Sequence, residues 1–195
     1  MKKTNMFENL VLTNQNSSEE TLKEQRNEIV FGKGSNKEKQ KIQYVKSFTA
    51  KLSQSSSVTK NYYNTLKNYV LSYKKVRSRV SWYYDAINLG REYLLKFVIR
   101  GKTLCLFFNL DASKLDKKYK VEIAKGKKYK DVSVLYRIKN DKRCEYAKQL
   151  IDMVMNNFNI AKGKEYDDEY RIPYQNTKIL IAKGLIKEPK AKVIC

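Results

Sequence analysis

The stretch "REYLLKFVIRGKTLCLFFNLD", residues 91–111, constrains the fold more than any other part of the chain. Two runs rich in aliphatic and aromatic residues meet at Gly101-Lys102, a two-residue connection with glycine first, as a type II′ hairpin requires. That turn sets Ile99 opposite Leu104, Phe97 opposite Leu106, Leu95 opposite Phe108 and Tyr93 opposite Leu110, so all eight share one face. A slip of one residue breaks up this apolar set, and turn and pattern therefore specify the same register. The opposite face carries Lys96, Val98, Arg100, Thr103, Cys105, Phe107 and Asn109, a mixed and partly cationic surface.

The flanking segments supply the rest of a fold. "SFTAKLSQ" alternates Phe48, Ala50 and Leu52 with polar neighbours, the period of a half-buried strand. Serines 55–57 then cap an amphipathic helix whose Val58, Tyr62, Leu66, Tyr69, Val70 and Tyr73 fall on one face. "VRSRVSWYY" reads as a strand with Val76, Ser78, Val80, Trp82 and Tyr84 toward the core and Arg77, Arg79, Ser81 and Tyr83 outward. Two further strands, "YKVEIA" and "VSVLYRI", are joined by the basic loop "KGKKYKD". Asp141 caps a second helix with Cys144, Ala147, Leu150, Ile151, Val154 and Phe158 as its buried stripe, and an Asn176-capped short helix ends at Gly184.

At 195 residues one hydrophobic core is expected. The predicted fold is α+β, an antiparallel sheet of about five strands with helices packed on one face. Residues 1–43, rich in Asn, Ser, Glu and Lys, are expected to be a disordered polar arm; 44–158 form the basic α+β domain, and 159–195 a C-terminal extension with a short helix.

Catalytic chemistry finds little to work with. There is no histidine, which removes the commonest general base, the imidazole metal ligand and every Ser-His or Cys-His pair. Cys105, Cys144 and Cys195 are odd in number and show no C-x-x-C spacing, as expected in a reducing compartment. "GKGSNKEK" at 32–39 lacks phosphate-loop spacing, and "EYDDE" at 165–169 lacks the glycine and alternating ligands of a calcium loop. No apolar run is long enough to span a bilayer, and "MKKTNMFENLVLTNQ" lacks a signal-peptide core. The expectation is a cytoplasmic, non-enzymatic protein with no cofactor, no metal and no membrane partner.

Charge points to a partner. The net charge is +21, and residues 44–158 hold 25 basic against 9 acidic side chains, so the excess sits on the folded part. A chain rich in Lys, Asn, Tyr and Ile reflects compositional bias as well, but that bias replaces Arg by Lys without making Lys so greatly outnumber Glu. A field of this sign recruits polyanions, nucleic acid first, then an anionic membrane surface or an acidic protein. Within "SYKKVRSRVSWYYD", residues 72–85, four cations in six residues are followed at once by Trp82, Tyr83 and Tyr84. Cations among aromatic rings satisfy the physical requirements for single-strand recognition, while an antiparallel sheet also shows such a face to plain water. If this strand neighbours the hairpin, its outer face joins Lys96, Arg100, Arg137 and Lys139 in a basic surface bearing Tyr83 and Phe107. The predicted contacts to DNA or RNA are Lys74, Lys75, Arg77, Arg79, Tyr83, Lys96, Arg100, Lys127, Lys128 and Lys130. The alternative is a protein-interaction module that docks an acidic partner in a larger bacterial or phage assembly.

The blocks "SRVSW", "GRE" and "RGKTL", within roughly residues 46–187, resemble an uncharacterised domain common in clostridia. The chain is more distantly similar to a domain of unknown function attached to predicted transport and restriction-associated proteins. The resemblance implies a compact α+β unit and no assigned catalytic residue. It also implies that Arg79 and Arg91 are family features, either functional or bracing the sheet through a carboxylate such as Asp85. A nuclease accessory role follows as a third, weaker reading.

Overall fold

A computed structural model describes residues 44–126 and 129–187; the arm at 1–43, Lys127, Lys128 and Cys195 lie outside these residues. In chain order the elements are β1 (Val45–Lys46), α1 (Phe48–Ser53), α2 (Ser57–Leu71), β2 (Val76–Val80), β3 (Asp85–Leu89), β4 (Glu92–Arg100) and β5 (Thr103–Phe108). After two short 3-10 turns come β6 (Glu122–Ile123), β7 (Val134–Ile138), α3 (Asp141–Asn157), α4 (Thr177–Ala182) and β8 (Ile186–Lys187). Six strands form one antiparallel sheet in the order β2-β3-β4-β5-β7-β6, and β1 pairs with β8 apart from it. The α+β class is as expected, with six strands in the main sheet.

The central hairpin follows its turn. Leu95 pairs with Phe108, Phe97 with Leu106 and Ile99 with Leu104. Gly101 takes φ 60°, the left-handed backbone that a first-position glycine admits without strain. These six side chains are fully or almost fully buried under α1, α2 and α3. Tyr93 departs from the expected face. Ile87 pairs with Leu95 but Asn88 with Tyr93, so Leu94 is an extra residue in β4, a bulge that turns Tyr93 to the far side of the sheet. Leu94 is buried in the core in its place.

Two strand expectations are corrected. "SFTAKLSQ" forms α1, because the Ser47 hydroxyl accepts the Ala50 amide at 3.1 Å as an N-cap. "VRSRVSWYY" is not one strand; β2 stops at Val80, and the Ser81 amide and hydroxyl both donate to the Tyr84 carbonyl at 2.8 Å. The chain reverses there into β3, which was not foreseen, and a second glycine-first turn at Gly90 (φ 59°) leads into β4. Val80, expected in the core, is 53% exposed.

Helix α2 is capped by Ser56, as the serine run predicts, but its buried face centres on Tyr63, Leu66, Lys67 and Val70 while Val58 stands exposed. The cap of α3 is Asn140, one residue before Asp141, and its predicted stripe from Cys144 to Val154 is buried. Residues 159–187 run back along α2 and α1. The Asn68 amide donates to the Asp168 carbonyl, the Tyr170 amide to Asn64, and the Ser53 hydroxyl to the Pro173 carbonyl. Asn176 caps α4, and Leu180 and Ile186 close on Ala50.

Candidate nucleic-acid interface

The register decides which of the predicted contacts share a surface. Arg79 pairs with Ala86, Ala86 with Lys96, Lys96 with Phe107, and Phe107 with Leu135, one row across the face opposite the helices. Arg77, Arg100 and Arg137 belong to the same face. The row is therefore as the alternation implies, but much of its chemistry is turned inward.

Lys96 is 5% exposed, with its ammonium 3.7 Å from the Tyr93 ring centre and 4.9 Å from that of Tyr84. The bulge at Leu94 that delivers Tyr93 to this side makes the enclosure possible. A desolvated cation over two aromatic rings gains quadrupole attraction, and burial withdraws it from phosphate. Tyr84 is tied to Tyr93 by a hydrogen bond, which together with burial pushes its hydroxyl up from the ordinary value. Phe107 is fully buried as well, because Tyr129 stacks on it with centroids 4.4 Å apart and planes 3° from parallel. The expected stacking platform is covered by the protein's own ring. Arg100 lies 4.8 Å over Phe107 and donates to the Tyr129 hydroxyl at 3.0 Å. Arg137 donates to Glu122 at 2.8 and 3.0 Å, which holds that carboxyl below the usual range.

What remains outward is concentrated on β2 and its approaches. Lys74, Lys75, Arg77 and Arg79 are exposed, and Lys75 holds φ 64° where the chain leaves α2 and turns into the strand. Among the described residues strand β2 pairs with β3 on one side only, so these side chains line a sheet edge. Among the described residues no carboxylate forms an ion pair with any of the four. Arg91, one residue past Gly90, is exposed at the same end, since Val76 opens β2 opposite Leu89, the residue before that turn. Tyr83, 65% exposed, marks the other end at the β2–β3 turn. Lys130 is exposed but belongs to the segment that covers Phe107 on β5, three strands away from the β2 edge.

Asp85 does not brace an arginine. It is fully buried and accepts hydrogen bonds from Lys67, from the Tyr63 hydroxyl at 2.8 Å and from the Ser78 hydroxyl at 2.7 Å. Lys67 is 3% exposed and also donates to Ser78. Desolvation pulls its ammonium down and Asp85 opposes that fall, while burial and the Asp85 charge push the Tyr63 hydroxyl up. A lysine on the predicted polar side of an amphipathic helix gave no signal of this role. The signal available was Asp85 itself, a carboxylate opening an apolar strand.

The two described cysteines are buried, and burial pushes Cys144 up to about 11, so it stays a thiol at neutral pH. Among the described residues no helix is long and apolar enough to cross a membrane, and no cluster of three or more Cys, Asp or Glu is placed to hold a metal ion. No protein family, curated protein or solved structure matches the chain.

Proposed function

We propose that the protein binds nucleic acid non-enzymatically along the β2 edge, with Lys74, Lys75, Arg77, Arg79 and Arg91 as phosphate contacts and Tyr83 as an open ring at the end of that edge. The observation that carries this reading is the exposure of Arg77 and Arg79, two residues apart on an edge strand, without an ion-pair partner among the described residues. Alternate strand residues stand about 6.7 Å apart, a step comparable to that between successive phosphates of a nucleic-acid strand. By contrast Arg100, Arg137 and Arg171 are each engaged by a ring or a carboxylate. With a single exposed ring on this edge among the described residues, the stacking contribution is small, so binding is dominated by counterion release and is weakly selective.

The test is affinity for single- and double-stranded DNA and RNA across a salt series. Each phosphate contact contributes roughly 0.7 to 0.9 to the slope of log affinity against log salt, and R77E/R79E lowers that slope by about 2. An unchanged slope sinks the assignment to β2. A second reading, an acidic peptide adding as a strand, draws on the edge of β2 that no strand among the described residues covers. It is favoured if an acidic peptide binds wild type in the absence of any nucleic-acid affinity.

A further inference from the structure

A cleft of about 460 Å³ opens on the helix side of β2, between that strand, α1, the end of α2 and residues 169–173. Its volume lies in the usual range for small-molecule sites. The walls are apolar: Phe48, Leu71, Val80, Ile172 and Pro173, with the rings of Tyr63 and Tyr170. Lys67 and Ser78 also line it, with the fully buried Asp85 bonded behind them, and Glu169 and Arg171 complete the lining.

The charges in this cleft cancel. Lys67 is matched by Asp85, and Arg171 is chelated by Glu169 through Nε and Nη2. Unlike the β2 edge, the cleft offers no uncompensated cation to a phosphate or carboxylate, and an entering anion meets the fully buried Asp85 charge. One donor is left over. Lys67 has three ammonium protons, of which two find acceptors in Asp85 and Ser78; the Tyr170 ring centre stands 5.4 Å away and that of Tyr63 5.6 Å. A lone polar donor at the base of an apolar, electrically balanced recess selects an oxygen acceptor on an uncharged body.

We propose that this cleft is a binding site for a small, electrically neutral molecule with an aromatic or branched aliphatic body and one carbonyl oxygen, which accepts the third Lys67 proton. The body lies between Leu71, Val80 and Ile172. The site is distinct from the β2 edge and independent of any nucleic-acid affinity, since the two use opposite sides of the strand and opposite electrostatics.

The test is amide chemical-shift titration of the full chain with acetophenone and acetanilide, with benzoate as the anionic control. The expected result is saturable movement of Ser78, Val80, Tyr170 and Ile172 by the neutral ligands, with dissociation constants of about 1 mM for fragments of this size. Benzoate binds at least about five-fold more weakly, and V80W, which fills the mouth from an exposed position, weakens the neutral ligands by about the same factor. Should V80W lose spectral dispersion, T49W fills the cleft from the α1 side. Equal or tighter benzoate binding, no saturable shift at these residues, or indifference to the filled mouth each overturns the proposal.

Discussion

At the scale of single residues, the protein buries cations and gives each a different compensation. Lys67 is held by a carboxylate and Lys96 by two tyrosine rings. Removing the carboxylate leaves an unmatched charge, so Asp85→Asn costs about 3–5 kcal/mol. In a Lys67→Met background the same change costs much less, and urea midpoints of the four proteins measure that difference. Asp152 accepts the hydroxyls of Tyr69 and Tyr73, both at 2.6 Å. Burial, and then that hydrogen bond, pushes Tyr69 up to about 12 and raises Tyr73 as well. A folded-state value above the unfolded one means that the stabilisation is complete below pH ~10 and is lost as pH rises from there through about 12. Lys67, shifted down, acts in the opposite sense: its contribution rises with pH, and only below its ordinary value near 10.4. The stability advantage of wild type over Y69F/Y73F therefore shrinks between pH 9 and pH 12. A difference that stays constant in denaturation curves across that range contradicts the assignment. Neither burial was legible in the sequence, since a lysine reads as solvated until its partner's place is known.

At the scale of elements, legibility followed the agreement of independent signals. The β4–β5 hairpin was readable because turn chemistry and apolar alternation named one register. Helix α1 was misread because Phe48, Ala50 and Leu52 fit a strand period over so few residues, and the deciding feature, the Ser47 cap, lay one residue upstream. The β2–β3 reversal was missed because its turn contains neither Gly, Asn nor Pro; Ser81 supplies the closing bonds. The β3–β4 connection at Gly90-Arg91 is glycine-first like the one at Gly101, and that was the signal available for β3. Of the predicted site, the Lys74–Arg79 run was legible as an exposed basic segment. Lys96 and Phe107 were misplaced because a one-residue bulge and a covering loop are tertiary events that alternation does not encode.

At the scale of the whole molecule, residues 159–187 form a strap. It crosses α2, bonds to α1, and ends with β8 on β1, so chain segments more than a hundred residues apart close on each other. Leu180 is fully buried in the small cluster with Ala50 and Ile186 that fastens this closure. Leu180→Ala is expected to cost about 2–4 kcal/mol and to raise amide exchange across 44–53 and 168–187 before the β4–β5 hairpin opens. Uniform exchange across the molecule would show that the strap is not a separate opening unit. Among the described residues the main sheet ends at β2, whose outer side pairs with no strand, and Arg77 and Arg79 stand on that edge strand. Repulsion between arginines on two approaching copies blocks edge-to-edge pairing, so the cations guard the protein against its own aggregation. If the edge takes up nucleic acid as proposed, the polyanion that neutralises these arginines also lifts this protection, and the same edge would then favour assembly of many copies along one strand.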